Sequence, residues 1–593
     1  MPWIKTVFLI LLGFSGLFAL VAAESPSPPT SSADTSRLDR EWATIQRRRP
    51  GMDVRGVFGF ILTAAANNWK PEAIGDALAL CESMEDRDPT SPTYGNFRWY
   101  WRDNQPNDLN AVEFSMQSAS LTWLLYRDRL TPEARARLKG MLSVAFEGMR
   151  RHPVPVKYTN IFVMRLVNCA LIGPAIERPD ITAQARAWLG QWRAYTRSYG
   201  IHEYNSPTYY AVDLASLGAL LRYTQDADFR AAAEAALRLL WTDIAANYFP
   251  PHAGVSGAHS RDYDFLTGHG GLEAQLAWAG LLPRAETRPG STLNELTRWD
   301  PPASLIQAAQ LTPRSLFQRW GEDSGQDATN YIGRYFALGS AGSSYEKQDR
   351  VLALVLEGDP RTPIVSFDLD DRNHPYGTEK VATSGGHSKP IHLVPFVASV
   401  QRGAEVLLVA SFDPTRKDER WPGAYANVRS NLILPGDAEL TRGESDGRVL
   451  FLRRGQAAAA IAYLLANDDQ GKAVAPELIR DGLEFNAQRF SCLQAEGTPR
   501  SRIDVIVWIR ATEGVDDEGF KAFQSSCLTA ISAARTTVDS DRLSAQIPGL
   551  HGLLRIVVNP LTRTRLTLEG ADSDLRKGVL NLNGVDEGKA ILP

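Results

Sequence analysis

Cysteine is scarce: the 593-residue chain holds four, Cys81, Cys169, Cys492 and Cys527. Four are too few for a disulfide scaffold, and their spacings match no zinc-ligand pattern. Cys169 sits in an apolar helical run and reads as a small buried hydrophobe, while Cys492 and Cys527 are candidates to pair in an exported chain. Basic excess is missing too. Lys and Arg total 64 against 68 Asp and Glu, a formal charge of -4, which leaves no electrostatic footprint for nucleic acid. There is no Gly-rich phosphate loop and no Gly-x-Ser-x-Gly elbow. Past the amino terminus, no apolar run is long enough to span a bilayer.

The amino terminus itself is distinctive. Lys5 precedes an apolar run, Val7 to Leu20, and Val21-Ala22-Ala23 offers small residues for cleavage. Residues 1–23 read as a secretory signal peptide and 24–37 as a flexible leader. The mature chain is then secreted or periplasmic, with no stable membrane insertion after signal removal; an uncleaved anchor is the alternative.

From Leu38 to Leu282 the pattern is helical. Thr131-Pro132-Glu133 is a helix start, and Leu138, Met141, Leu142, Ala145 and Met149 recur at helical spacing. Comparable helices fall at 54–67, 71–84, 108–127, 159–172, 182–198, 207–224, 227–247 and 268–281. Roughly ten helices with short joints and no tight repeat favour a toroid of helical hairpins or an irregular bundle. Residues 284–330, with Pro289-Gly290 and Pro301-Pro302, read as a linker with connecting helices. Beyond 331 the runs Val351 to Leu356, Ile364 to Phe367, Val406 to Ala410, Val449 to Leu452, Ile503 to Ile509 and Leu553 to Val558 read as strands, with one helix near Glu518 to Ala530. The expected fold is α+β and multidomain: an incomplete α/α toroid over 38–283, then an antiparallel β-sandwich over 331–593.

Chemistry concentrates in Gly200 to Asp213, which holds His202, Tyr204, Asn205, Tyr209 and Tyr210. Ser206 and Pro207 suit the cap and first position of a helix, whose positive end then faces these side chains. A second dense loop runs from Val255 to Asp264 and carries His259, Arg261, Asp262 and Tyr263. Arg98, Trp99 and Trp101 alternate guanidinium groups with rings able to meet acidic sugars; the rival reading is ordinary core. Asn107, Asn110 and Glu113 read first as a helix cap, and Asn160 stands at another helix start. Four of the nine histidines lie between 202 and 269, but His252, His259, His269 and Asp262 have no known metal-ligand spacing, and no metal or organic cofactor is expected.

Together these groups suit β-elimination from a uronic acid. The C5 proton leaves only if the adjacent carboxylate is neutralised, a His or Tyr removes it, and a Tyr protonates the departing oxygen. The order Asn160, His202, Tyr209 or Tyr210, and Arg261 resembles the Asn–His–Tyr–Arg set of hyaluronate and chondroitin lyases. The segments Gly95-Asn-Phe-Arg-Trp-Tyr, Asp108-Leu-Asn-Ala-Val-Glu-Phe and Glu203-Tyr-Asn-Ser-Pro-Thr-Tyr resemble secreted toroid proteins related to glucuronan and alginate lyases. The resemblance, which extends to heparinase II/III-type lyases, implies an α/α toroid followed by antiparallel sheets and an acidic polysaccharide substrate. It implies that Asn160 neutralises the carboxylate, His202 is the base or its partner, Tyr209 or Tyr210 is the acid, and Arg261 holds the sugar. Arg98, Trp99, Trp101, Tyr204, His259 and Tyr263 would line the substrate, with Tyr204 and Tyr263 competing for the phenol role.

Two other readings stand beside it. A glycoside hydrolase on the same fold would need two carboxylates across the bond, from among Glu113, Glu203, Asp213, Asp262 and Asp264. A secreted glycan-binding protein would use the Trp99/Trp101 wall or the β-rich half without turnover. The lack of a dense Lys/Arg cluster in the candidate loops favours glucuronan or alginate over sulfated glycosaminoglycans.

Overall fold

A computed structural model of the protein describes residues 35–263, 266–267, 270–282, 290–376, 380–382, 388–389, 391–417, 425–443, 447–482 and 485–592. The signal peptide read over 1–23, and the leader as far as residue 34, lie outside the described residues. The leader's last residues are helical, since the first helix begins at Thr35.

Among the described residues, nine helices of at least twelve residues build the first half: α1 Thr35–Gln46, α2 Val54–Ala66, α3 Pro71–Met84, α4 Ala111–Tyr126, α5 Pro132–Arg151, α6 Thr159–Ala175, α7 Pro179–Tyr199, α8 Tyr210–Tyr223 and α9 Ala227–Asn247. α2, α4, α6 and α8 pack side by side as an inner row, and α3, α5, α7 and α9 lie outside it. Their sequences dictate that placement. α4 and α6 are buried on nearly every side and carry mostly small or apolar residues, with Glu113 and Arg165 among the buried exceptions, whereas α5 and α7 bury one stripe and expose arginines on the other. A short helix, Thr292–Leu296, touches both α2 and α8 and closes the arc. Thr63 and Thr292 hydroxyls meet there at 2.9 Å. This is the incomplete toroid of helical hairpins.

The second half is antiparallel throughout. A ten-stranded sheet runs in the order 477–482, 487–496, 427–435, 365–370, 352–356, 336–341, 327–332, 314–319, 580–582, 585–586. Its apolar face packs on a six-stranded sheet centred on Ile503–Glu513 and Ala457–Ala466. The outer face of that sheet packs on the helix Asp517–Ala533 and a four-stranded sheet over 535–569. The β-sandwich therefore carries a third layer. Two of its strands, Arg314–Arg319 and Asp327–Ile332, occupy residues read from sequence as linker. Their polar side chains disguised them: Arg314, Gln318 and Asn330 are buried against the end of α9 and the residue after it, and Asp327 is buried with Arg576. Cys492 and Cys527 are free and lie in separate apolar clusters, so they do not pair. Among the described residues no helix is long and apolar enough to cross a membrane.

Candidate active site

Two loops of the helical half form the site, and the β-rich half fixes both. Asn205, with φ of 44°, sends its carboxamide to the carbonyls of Ser256 and Ala258. The backbone and hydroxyl of Ser260 both donate to the Tyr204 carbonyl. Loop 202–210 is thus stitched to loop 255–263. The second loop then pairs with a segment of the β-rich half: His259 exchanges backbone hydrogen bonds with Arg350, and Asp262 N donates to Gln348 O at 2.6 Å. That pairing brings Glu346 against Arg261.

Arg261 is the hub. Its backbone lies in the left-handed region, φ 52°, a strained position for a residue with a Cβ. Its Nη1 donates to Glu346, and its Nη2 donates to the hydroxyls of Tyr209 and Tyr263, 3.0 Å each. The Glu203 carboxylate lies 3.7 Å from its Nε. Burial works against the guanidinium charge, but Tyr209, Glu346, Tyr263 and Glu203 outweigh it and keep it protonated. The two phenols meet at 2.7 Å, ring edge to ring face. Lys389, from the β-rich half, donates to Tyr263 at 3.2 Å. Burial lifts the pKa of both phenols, so both are neutral at ordinary pH.

Tyr209, Tyr263, Tyr158 and Lys389 line a cavity of about 460 Å³ together with Trp99, Tyr100, Asp108, Asn110 and Arg55. A second cavity of about 580 Å³ shares Arg55, Phe114 and Leu293 with the first, so the cleft continues past Arg55 along α2. Arg55 lies over the Phe114 ring at 4.6 Å. Asp108 is the one carboxylate among the described residues that line the first cavity.

The structure separates residues that the sequence groups together. Tyr209, Tyr263 and Trp99 stand on the cavity wall. Tyr210 does not: it is fully buried, donates to Asp243 and accepts from Asn205 N at 2.7 Å, so it braces the loop behind the wall. The cause is helix phase. α8 starts at Tyr210, three residues later than Pro207, and Ser206 caps a preceding turn through Tyr209 N at 3.1 Å. Tyr204 is also fully buried, stacked on Trp320, and does not line the cavity. His259 is spent on the Gly257 carbonyl and Asp262. Arg98 donates to the carbonyls of Ser83 and Asp103, and Trp101 is packed between Arg48 and Arg98; neither lines the cavity.

Asn160 and Arg261 stand behind the wall. The Asn160 backbone and carboxamide both donate to Glu203 Oε2, at 2.7 and 2.6 Å, and Arg261 is occupied by Glu346 and the phenols. Their expected direct contact with the sugar is replaced by a buried relay, Asn160–Glu203–Arg261–Tyr209. Burial raises the pKa of Glu203 despite Arg261 and Asn160. His202 sits to one side, its ring 5.1 Å from that of Tyr345 and 5.6 Å from that of Trp320. Its Nδ1 meets the Trp320 carbonyl at 2.6 Å. A carbonyl only accepts, so Nδ1 carries the proton and Nε2 the lone pair. Burial pushes its pKa down to about 4, so the ring is neutral. Of the suggested metal set, His269 lies outside the described residues, and His252 Nε2 meets the Thr267 carbonyl.

Arg55, Lys389, Glu346 and Tyr345 were not singled out from sequence. Nothing local marks them: three lie more than eighty positions beyond Arg261 or in strands and turns, and contact alone brings them in.

The segment 86–287 matches the family model of a domain of unknown function (DUF8769). A search of curated proteins finds no match. Among solved structures the chain is similar to heparinase III, at 10% identity and a TM-score of 0.38 over 85% of this chain and 82% of that one. It is similar to a chondroitin AC lyase from Streptomyces coelicolor A3, in complex with chondroitin sulphate, at 12% identity and a TM-score of 0.43 over 90% and 86%. It is also similar to a heparan sulfate lyase from Pedobacter heparinus, at 11% identity and a TM-score of 0.34 over 85% and 81%. At these values the likeness assigns no activity, and the chemistry rests on the side chains themselves.

Proposed function

We propose that the protein is an exported polysaccharide lyase that cleaves a uronic-acid polymer by β-elimination and leaves a 4,5-unsaturated uronic acid end. The observation that carries the reading is Tyr209: a neutral phenol on the cavity wall, hydrogen-bonded by a buried arginine, with Asp108 as the single carboxylate among the described residues of that wall and Asp264 outside the described residues. Tyr209 gives its proton to the departing glycosidic oxygen, and the phenolate left behind is stabilised by Arg261 and Tyr263. His202, neutral and with Nε2 unprotonated, is assigned as the base for C5, from a place beside the described cavity lining and not on it. Arg55 and the Asn110 carboxamide, both on the wall, meet the uronate carboxylate. Glu203 and Asn160 act behind the wall by holding Arg261.

The hydrolase reading has less support. Glu113 pairs with His152 at 2.9 Å, Glu203 with Asn160, and Asp262 with His259, all buried. Asp213 is buried too, and burial raises its pKa well above the carboxylate range. Among the described residues of the wall the cations are Arg55 and Lys389, which favours glucuronan or alginate over a densely sulfated chain.

The test is ultraviolet absorbance on a panel of uronic-acid polysaccharides. A conjugated product from one polymer supports the reading and identifies the substrate. New reducing ends without absorbance would reassign the chemistry to hydrolysis, and binding without either would make the chain a glycan-binding protein.

A further inference from the structure

The hydrogen-bond directions around the two phenols deepen that reading and rest on it. Tyr263 Oη has three polar neighbours: Arg261 Nη2 at 3.0 Å, Lys389 Nζ at 3.2 Å and Tyr209 Oη at 2.7 Å. Arginine and lysine only donate. A phenol oxygen has two acceptor positions and one proton, so the two cations fill both acceptor positions of Tyr263. Its proton is left with Tyr209 Oη as its acceptor. Tyr209 Oη then accepts from Tyr263 and from Arg261 Nη2, 3.0 Å away. The same count leaves the proton of Tyr209 with no protein acceptor among the described residues, beside the cavity that Tyr209 lines.

We propose that Lys389 is a positioning residue: by filling an acceptor position of Tyr263 it fixes the Tyr263-to-Tyr209 direction and keeps the proton of Tyr209 turned to the leaving group. Without the ammonium, Tyr263 has an empty acceptor position, the phenol–phenol bond is free to reverse, and the proton of Tyr209 is drawn to Tyr263. The step it serves is balanced. The C5 proton passes to the base, the C5–H electron pair becomes the C4–C5 double bond, and the C4–O bond breaks. The departing oxygen takes the proton of Tyr209. The Tyr209 phenolate then accepts from two donors already in place and recovers a proton from solvent, to which the base releases the C5 proton. The β-rich half therefore supplies the element that makes the acid of the helical half competent.

The experiment uses the full chain as Lys389→Met, Lys389→Arg, Tyr263→Phe and the double variant Lys389→Met/Tyr263→Phe. Each is assayed on a uronic-acid oligosaccharide and on a uronoside with 4-nitrophenolate at C4, a leaving group that needs no acid. Lys389→Met should lower kcat on the oligosaccharide about tenfold, the scale of one charge-assisted hydrogen bond, with KM little changed and the aryl substrate unaffected. Lys389→Arg should restore the rate. In the Tyr263→Phe background, where no oxygen can capture the proton, Lys389→Met should be silent. Equal losses on both substrates, or a rise in KM alone, would mean that Lys389 acts on the uronate carboxylate and would overturn the proposal. Should the unaltered protein turn over neither substrate, the β-elimination reading fails by itself. The hydroxyl direction is then read by neutron diffraction: the shared deuteron on Tyr263 upholds the role of Lys389, and the deuteron on Tyr209 overturns it.

Discussion

Tyr209 and Tyr210 are adjacent and chemically identical, yet one faces a cavity and the other a buried aspartate. Tyr209→Phe should lower kcat by about 10²–10⁴-fold, the span of a lost acid–base group, an effect on rate beyond any drop in the thermal midpoint from its lost bonds to Arg261 and Tyr263. Tyr210→Phe should act on stability alone. It strips Asp243 of a donor and Asn205 N of an acceptor, costing about 1–3 kcal/mol in a denaturant titration, while the refolded enzyme keeps its rate. His202 yields a pH signature. A base must be neutral, and burial moves its pKa down to about 4, so kcat/KM should hold as pH falls through the ordinary histidine range and drop near about 4. A limb at the unperturbed value would remove His202 from the role. The sequence located this cluster, because His, Tyr and Arg at that density are unusual in two loops. It did not rank the phenols, because α8 begins at Tyr210 and not at Pro207, which leaves Tyr209 at the cap and Tyr210 in the first turn.

Elements position these side chains through a few close approaches. Asp53 caps α2 through Gly56 N at 2.7 Å and so holds the first turn that presents Arg55. Asp53→Ala should cost about 1 kcal/mol and raise KM, since Arg55 loses its fixed turn. The loop before Trp99 is pinned to α5 where Gly95, φ 84°, crosses Gly148; a Cβ on Gly148 would sit 2.2 Å from the Gly95 carbonyl oxygen. Gly148→Ala should destabilise by about 1–3 kcal/mol, as overpacking does, read as a lower unfolding midpoint. Helix periodicity was plain in α5, with one apolar stripe, and weaker in α4 and α6, where every face is buried and the pattern loses its contrast. Central strands such as Glu405–Phe412 and Ile503–Glu513 were legible as apolar runs. Arg314–Arg319 and Asp327–Ile332 were not, because their polar side chains are buried in hydrogen bonds, Arg314 to the carbonyls of Ala246 and Tyr248 among them.

At the scale of the molecule the site belongs to both halves. Trp320 sets the tautomer of His202, Glu346 holds Arg261, and Lys389 reaches Tyr263. No local pattern encodes contacts of that separation, which is why the sequence yielded the helical side of the site and missed the β side. Buried carboxyls also give the whole chain a pH response. Burial lifts Glu85 and Asp349 to about 8 and Asp368 to about 7. Each is protonated in the fold and ionised in the unfolded chain, so the folded state binds more protons between the ordinary carboxyl range and those values. Stability should fall as pH rises from about 7.5 to 8, above the range in which unfolded histidines bind protons, by up to about 1.4 kcal/mol per pH unit for each carboxyl still protonated in the fold. Thermal melts across that window check it; a flat or rising midpoint would contradict it.

The strand Leu580–Leu582 completes the ten-stranded sheet beside Arg314–Arg319, against the helical half. On the ribosome, the edge at Arg314–Arg319 emerges early and waits for a partner made after the entire six-stranded sheet. Until then it is an open template for another chain. Nascent chains truncated before Leu580 should accordingly be the species that chaperones retain, even though every residue of the phenol cluster has already been synthesised.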